Sequence, residues 1–321
     1  MKMMLAAMFA VLMIAPAFAD LPNPYQPPER RWAKLPDGTA WGTSAGVEIG
    51  PKGEIWAIDR CAGTSCDGSS RAAVHIIDPK TGKATHSIGA NLFAMPHGLH
   101  VDKDGNVWVT DAAISKDKKK GQQVIKLSPD GKILMRLGTA GASGGGPTHF
   151  HDPGDVVTAP NGDIFVADGH GTVAPDLPPD TIVRIIKFTP DGKFIKAWGS
   201  LGSGKSQFRN PHALAFDSQG RLFVADRVNG RIQIFDQDGK RLTQYTAFNH
   251  PSGLYIDKND TLYASDYNSE DQKGIYIGSA RTGKLQYFVP DAEAGEGIVA
   301  GPDGTLYEGT PTGITRFRKK P

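Results

Sequence analysis

Six segments of this 321-residue chain align with one another without a gap, and this internal repeat constrains the fold more than any other feature. The copies span residues 44–59, 96–111, 153–168, 211–226, 251–266 and 295–310. Self-similarity at a spacing of roughly 40–50 residues is typical of propellers and solenoids. Each copy holds an apolar strand, a tight turn such as KDGN or PDGT, and a second apolar strand.

A second hairpin follows several copies, as in VIKLSPDGKILMRL, RIIKFTPDGKFIKAW and RIQIFDQDGKRLTQY. Two hairpins make four strands per copy, which is one propeller blade. The sequence therefore predicts an all-β, six-bladed β-propeller over residues 45–321. The sixth blade lacks its outer strand, and we expect the segment 20–44 to provide an N-terminal arm and the ring-closing strand. Within it, Arg31–Gly42 is the predicted strand, because pairing there would cover an open sheet edge.

The second position of the repeat carries metal-ligand residue types in alternate copies. Down the six copies it reads Ala45, His97, Gly154, His212, Ser252 and Glu296. Alternate blades of a six-bladed ring lie about 120° apart, so the two histidines and the glutamate would converge on the axis. Three such ligands with a free fourth position are typical of a catalytic zinc site, so we predict Zn²⁺ or another divalent cation there. The alternative is that these are ordinary turn residues of the repeat.

Composition and targeting signals narrow the function class. The 39 glycines and 23 prolines suit a turn-rich all-β protein, and a net charge of +2 gives no reason to expect nucleic-acid or membrane binding. Residues 1–19 have a positive start, a short apolar core and an A-x-A cleavage site, which predicts a signal peptide and a periplasmic or secreted protein. In such a compartment Cys61 and Cys66 are expected to form a local disulfide.

A second group of polar residues follows the Asp that recurs at the end of the copies. Arg60, Arg227 and Tyr267 come directly after it, and His170 lies two residues beyond Asp168. The loops that carry them share a face with the predicted metal ligands. Guanidinium groups can bind a carboxylate and His or Tyr can transfer protons, so all four are candidate catalytic residues. The alternatives are a surface Arg paired with Asp, and loop residues without a chemical role.

The recurring aspartates are predicted to be structural. A carboxylate at the end of a strand can accept backbone N–H bonds and hold the adjacent loop. We assign that role to the whole set, which comprises Asp59, Asp111, Asp168, Asp226 and Asp266.

The repeat resembles the NHL repeat, and the segments PHGLHVDKDGNVWVTD, IFVADG, KFTPDGKFIKAWG and LFVADRVNGRIQIF resemble peptidyl-α-hydroxyglycine α-amidating lyases. The resemblance covers residues 45–318. It implies a six-bladed propeller that cleaves a carbinolamide into a peptide amide and glyoxylate. It also implies a zinc held by three histidines, of which two match His97 and His212 while the third falls on Glu296.

The resemblance places the family's active-site arginines on Arg60 and Arg227 and its active-site tyrosine on His170. A structural calcium in the family uses carbonyls at positions such as Val47 and Leu99 together with an Asp. That Asp falls on Gly297 in this chain, which argues against a calcium site.

Three hypotheses about function follow. The first is a metal-dependent lyase or a related enzyme that acts on a small or peptide substrate. The second is a non-catalytic NHL propeller that binds a protein or small ligand. The third is a propeller metallohydrolase for lactones or esters, because one scaffold hosts many chemistries. We expect a monomer in each case.

Overall fold

The computed structural model describes residues 21–267, 273–291 and 293–321, and the predicted signal peptide lies outside them. These residues form six antiparallel sheets. Blades 1 to 3 contain β1 (Val47–Ile49), β2 (Ile55–Ile58), β3 (Val74–Ile77), β4 (Ala84–Ile88), β5 (Pro96–Val101), β6 (Val107–Asp111), β7 (Gln123–Leu127), β8 (Ile133–Leu137), β9 (Pro153–Thr158), β10 (Ile164–Asp168), β11 (Arg184–Phe188) and β12 (Phe194–Trp198). Blades 4 to 6 contain β13 (Pro211–Phe216), β14 (Leu222–Asp226), β15 (Arg231–Phe235), β16 (Arg241–Tyr245), β17 (Pro251–Ile256), β18 (Thr261–Asp266), β19 (Gly274–Ser279), β20 (Leu285–Pro290), β21 (Gly297–Ala300), β22 (Leu306–Thr310) and β23 (Gly313–Phe317).

The burial of each strand follows its distance from the axis. The second strands of blades 2, 3 and 4, with the sequences VWVTD, IFVAD and LFVAD, are buried at every residue. A strand covered on both faces is expected to be a continuous apolar run rather than an alternating one. The outer strands β8 and β12 are mostly exposed, which suits their position at the rim.

The innermost strands close into a ring. Each contacts the next in the order β1, β5, β9, β13, β17, β21, and β21 contacts β1 again. In the described part of the chain, six buried hydrophobic clusters fill the spaces between neighbouring blades. The all-β, six-bladed prediction is therefore confirmed, and its stability comes from apolar packing between blades.

The ring is closed by an N-terminal segment that lies earlier than predicted. Residues 24–32, not Arg31–Gly42, run antiparallel to β23: the Glu29 N–H donates to the Arg316 carbonyl at 2.8 Å and the Arg316 N–H donates back at 3.1 Å. Prolines are tolerated there because an outermost strand needs N–H donors only on the side that faces its neighbour. The predicted segment instead crosses to blade 1, where the Lys34 N–H donates to the Gly82 carbonyl at 2.7 Å.

The recurring aspartates are fully buried and accept backbone N–H bonds, which confirms their structural role. Asp111 accepts from Ala94 and Met95, the two residues that precede the inner strand of its own blade. Asp168, Asp226 and Asp266 hold the equivalent segments of blades 3 to 5. These bonds fix the chain immediately before the second repeat position, where the candidate ligands lie.

The loop after β2 is closed by the predicted disulfide between Cys61 and Cys66. Among the described residues, no helix has the length and apolar character that crossing a membrane requires.

Candidate metal centre

Four ligand-type side chains meet at one end of the propeller axis. The ligand atoms of His97, His170, His212 and Glu296 all lie within 4.8 Å of one another. Nε2 of His97 is 3.6 Å from one carboxylate oxygen of Glu296, and Nε2 of His212 is 3.6 Å from the other. The structure thus brings together the three residues that the repeat alignment selected, and it adds His170 to them.

Two of the imidazoles are held in one orientation by the blades beside them. Nδ1 of His97 lies 2.7 Å from the Gly154 carbonyl, and Nδ1 of His212 lies 2.8 Å from the Ser252 carbonyl. A carbonyl only accepts hydrogen bonds, so Nδ1 is the protonated nitrogen and Nε2 carries the lone pair. Both Nε2 atoms are buried and lack a hydrogen-bond partner among the described residues. This arrangement is the one that metal-binding histidines show.

His170 reaches the same place from the loop that follows β10. Its ring centroid is 3.9 Å from that of His97 and 5.1 Å from that of His212. Its backbone is fixed, since its N–H donates to the Asp152 carbonyl at 2.8 Å and its carbonyl accepts from the Asn210 amide at 2.6 Å. Its Nε2 is also buried without a partner. The rings of His97 and His212 are oriented by hydrogen bonds to backbone carbonyls, but no such bond to the ring of His170 is found among the described residues.

Two arginines flank the glutamate. Nη1 of Arg227 is 3.3 Å from one oxygen of Glu296, and Nη2 of Arg60 is 3.8 Å from the other. Nε of Arg60 also donates to the Pro96 carbonyl at 3.1 Å. The guanidinium carbon of Arg227 lies 4.8 Å from the centre of the Tyr267 ring. Three residues predicted to be catalytic, Arg60, Arg227 and His170, therefore lie beside the candidate ligands, whereas Tyr267 contacts Arg227. Their chemical roles remain predictions.

The electrostatics of the centre favour neutral imidazoles and an ionised glutamate. Burial lowers the pKa of His212 to about 4, with a further decrease from the charge of Arg227. Burial and the neighbouring imidazoles lower the pKa of His97 and of His170 well below its usual range. Burial acts to raise the pKa of Glu296, but His212 and Arg60 outweigh it and hold that pKa well below its usual range. At neutral pH the centre offers three uncharged nitrogen donors and one carboxylate.

These donors fit a divalent cation. Imidazole nitrogen and carboxylate oxygen are the ligands that Zn²⁺ takes in catalytic sites, where one coordination position stays open. Buried polar nitrogens without partners are rare in folded proteins, and a bound cation would satisfy the Nε2 atoms of His97 and His212 at once. The set His97, His212 and Glu296 leaves such a position, whereas ligation by all four residues would close the site.

The calcium site implied by the family resemblance does not fit this chain. A Cβ added at Gly297 would lie 2.5 Å from the Ala45 carbonyl oxygen and 3.1 Å from the Val47 amide nitrogen. No side chain fits there without movement of the neighbouring blade. The carboxylate that the family places at this position is therefore missing for a steric reason.

Sequence reasoning missed Asp155, which lines the same axial cavity as His97. Its carboxylate accepts the Leu214 N–H at 2.7 Å and the Val156 N–H at 2.9 Å, which links blades 3 and 4. Burial raises the pKa of Asp155 to about 7. The signal was present in the alignment, because the other copies carry Gly or Ala at this third repeat position.

Comparisons with known proteins agree with this architecture. The sequence profile of the SMP-30/Gluconolactonase/LRE-like region matches residues 70–268. Peptidyl-glycine alpha-amidating monooxygenase B of Xenopus laevis is 36% identical in a 258-residue alignment that covers 74% of this chain and 27% of that protein. A probable peptidyl-alpha-hydroxyglycine alpha-amidating lyase of Caenorhabditis elegans is 30% identical over 70% of this chain and 63% of its own length. The chain thus spans about a quarter of the monooxygenase and under two thirds of the nematode protein.

Solved structures show the same fold at low identity. A gluconolactonase from Xanthomonas campestris superposes with a TM-score of 0.62 at 17% identity, covering 88% of this chain and 87% of that one. A virginiamycin B lyase from Staphylococcus aureus superposes with a TM-score of 0.57 at 16% identity, covering 88% and 98% of the two chains. Likeness at these identities establishes the propeller and not the reaction.

Proposed function

The chain belongs to the SMP-30/gluconolactonase/LRE-like family, and we propose that it is a metal-dependent lyase which cleaves a peptidyl-α-hydroxyglycine-type carbinolamide into an amide and glyoxylate. The observation that carries the proposal is the meeting of His97, His212 and Glu296 with Arg60 and Arg227 at one end of the axis. The similarity to relatives named as amidating lyases, at 30–38% identity, supports the same reaction.

His97, His212 and Glu296 would hold the cation. Their orientation is set before any ligand binds, because neighbouring carbonyls fix both imidazoles and Arg227 bonds the carboxylate at 3.3 Å. Pre-oriented ligands lose little freedom when they bind a metal. A bound Zn²⁺ or similar ion supplies Lewis-acid polarisation of a substrate oxygen.

The two arginines would bind the carboxylate of the glyoxylate half. Two guanidinium groups face one glutamate, so this part of the centre has an excess of one positive charge. Their side chains are only 10% and 11% exposed, and charge interactions are stronger there than in bulk water. An anionic substrate group compensates the excess and is oriented by the planar guanidinium face.

His170 and Tyr267 would exchange the two protons of the reaction. The substrate hydroxyl loses its proton, its oxygen forms the aldehyde C=O bond, and the carbon–nitrogen bond breaks with its electron pair passing to nitrogen. Protonation of that nitrogen gives the amide. Burial lowers the pKa of His170, so its imidazole is neutral and can accept the first proton. The Tyr267 hydroxyl can donate the second.

Glyoxylate release from a synthetic peptidyl-α-hydroxyglycine tests the proposal directly. We expect release by the metal-loaded protein above the metal-stripped control. We also expect a large decrease in Arg227→Ala, where the carboxylate contact is lost, and a decrease in bound metal in Glu296→Gln. Equal rates for the loaded and stripped protein would reject the lyase assignment.

A second candidate is hydrolysis of lactones or esters on the same centre. It is favoured by the family that the chain matches, whose description includes gluconolactonase, and by the carboxylate in the candidate ligand set. A panel of sugar lactones and aryl esters, assayed beside the peptide substrate, separates the two reactions. Hydrolysis of the lactones without any glyoxylate release would select this second candidate.

We further propose that the protein acts as a monomer outside the cytoplasm. The Cys61–Cys66 disulfide supports this placement, because disulfides persist in oxidising compartments. Mass measurement of protein recovered from the exported fraction tests both statements.

A further inference from the structure

A cationic cavity lies between blades 1 and 2, away from the metal centre. It has a volume of about 720 Å³, and its charged lining consists of Lys116, Lys119, Lys120, Arg136, Asp67 and Asp117. We call this cavity the lysine pocket. Its volume lies within the range of about 300–1,000 Å³ that is usual for ligand sites.

The four cations of the lysine pocket lack carboxylate partners in the described part of the chain. Nζ of Lys120 bonds the neutral amide of Asn91 at 2.7 Å, and Nη1 of Arg136 bonds the neutral amide of Gln123 at 3.0 Å. Single unpaired lysines are common on protein surfaces. Four cations around one cavity repel one another, and an anion placed among them removes that repulsion.

The two acidic residues of the pocket do not neutralise it. Asp67 accepts the backbone N–H of Lys116 at 3.1 Å. Asp117 accepts the Ser115 hydroxyl at 2.7 Å and the backbone N–H of Lys119 at 3.1 Å. These carboxylates keep their charge, and that of Asp117 acts on Lys119 and Lys120. They offset only two of the four cations, so the lining has two more positive than negative groups.

The lysines are presented by an ordered turn. The buried Ser115 accepts the backbone N–H of Lys119 at 3.1 Å and of Lys120 at 3.0 Å through its hydroxyl. The Lys118 N–H donates to the Ser115 carbonyl at 2.9 Å. A backbone held in this way keeps the three lysines of the pocket on one side without a ligand, so binding an anion requires little ordering of the loop.

The lysine pocket and the metal centre are joined by one loop. This loop follows β2 and begins with Asp59 and Arg60. Arg60 lies 3.8 Å from Glu296, and the residues after the disulfide, Asp67–Ser70, line the pocket. The lysines lie on the corresponding loop of blade 2, after β6, on the same face of the propeller. A peptide whose last residue occupies the centre would extend outward across the disulfide loop to enter the pocket.

We propose that the lysine pocket binds acidic side chains in the peptide part of the substrate, and this inference rests on the lyase function proposed above. The pocket then makes the enzyme selective for acidic peptides through binding rather than through chemistry. A change confined to binding alters KM and leaves kcat unchanged.

Two matched peptides and two matched variants test this selectivity. The peptides end in α-hydroxyglycine and carry either three Glu or three Gln residues upstream. The variant K116Q/K119Q/K120Q removes three charges from the pocket, whereas K132Q/K193Q/K205Q removes three charges elsewhere. We expect KM for the Glu peptide to rise roughly tenfold in the first variant, from exposed pairs of modest individual strength. The kcat should not change in either variant. KM for the Gln peptide should not change in the first variant, and KM for both peptides should not change in the second variant.

A binding measurement separates this inference from the proposed reaction. Calorimetry with the amide products of both peptides, on metal-free protein, needs no turnover. Tighter binding of the Glu amide, lost in K116Q/K119Q/K120Q, supports the pocket even if no glyoxylate is released. The single variant Lys119→Gln gives a smaller change and guards against misfolding of the triple variant. Equal affinity for the two amides overturns the proposal, and so does a pocket that binds inorganic phosphate but discriminates no peptide.

Discussion

The even and odd blades carry the same repeat, but the residues at its second position have different roles at the axis. Blades 2 and 4 present His97 and His212 at the second repeat position, whereas blades 3 and 5 present Gly154 and Ser252. The carbonyls of those two small residues accept the Nδ1–H of the imidazoles from the preceding even blades. At these four positions, the even blades supply the candidate metal ligands and the odd blades orient them.

The small residues of the odd blades also make room. A Cβ at Gly154 would lie 3.2 Å from the Pro211 carbonyl oxygen and 3.4 Å from Cβ of His170. A larger side chain would press on the loop of His170 and on the chain just before His212. The alternation of large and small residues is thus a packing requirement of the centre as well as a pattern of ligands.

The largest expected effect is the loss of zinc affinity when a candidate ligand of an even blade is removed while the carbonyl that orients it is kept. We expect His212→Ala to lower the affinity for zinc more than 100-fold, because loss of a contact that only orients a ligand already costs about 10–100-fold. Glyoxylate release should fall with it. Ser252→Ala keeps the backbone carbonyl that orients His212, so its zinc affinity should stay near the wild-type value.

Equilibrium dialysis with zinc measures both variants of this pair. If His212→Ala and Ser252→Ala bound zinc equally well, the assignment of His212 as a ligand and of Ser252 as the residue whose carbonyl orients it would be wrong.

The second prediction concerns His170, which stands outside the alternation. We expect His170→Ala to slow glyoxylate release about 100-fold or more, the size usual for loss of a general acid or base. Zinc affinity should remain within a few-fold of the wild type, because no carbonyl among the described residues fixes this ring as a ligand. A loss of zinc as large as that in His212→Ala would make His170 a ligand instead.

The third prediction tests the odd blades directly. Gly154→Val should displace the carbonyl that orients His97 and lower zinc affinity by about tenfold, at the low end of the range for contacts that orient a metal ligand. Gly146→Val is the matched control, because the same change adds bulk where a built Cβ meets no atom within 4 Å. Circular dichroism checks that both variants fold, and dialysis measures zinc. Equal zinc affinity in the two variants would show that the Gly154 carbonyl does not matter.

The repeat alignment was enough to predict the ring and the meeting of three distant residues. Equivalent positions of a repeat lie at equivalent radii, so His97, His212 and Glu296 had to approach the axis together once six blades closed. The same logic placed Arg60 and Arg227 on the correct face. The Cys61–Cys66 disulfide followed from their spacing and the predicted compartment.

The contacts that the alignment could not predict depend on backbone approach rather than residue type. The partners of the imidazole Nδ1 atoms are carbonyls, which every residue has. The closing strand was misplaced because Pro-rich sequence suggests a free arm, although alternate N–H groups suffice for pairing at an edge. His170 touches His97 through a loop whose path no repeat constrains.

The smallest predicted effect concerns Asp155, an odd-blade side chain that reaches the axial cavity. Burial raises the pKa of Asp155 to about 7, above the value of about 3.9 for an unfolded chain. The fold therefore favours the protonated form, and the stability it contributes is complete below pH 4 and is lost as the pH rises through 7. Asp155→Asn cannot ionise, so its deficit in Tm relative to the wild type should shrink between pH 6 and 8, by a few degrees at about 2–4 °C per kcal/mol. Thermal unfolding of both metal-free proteins across this range measures the difference in Tm. Because both proteins contain the same histidines in the even blades, the contribution of those histidines cancels in the difference. A constant deficit would mean that Asp155 is ionised throughout, and that odd blades bring a charge to the axis as even blades do with Glu296.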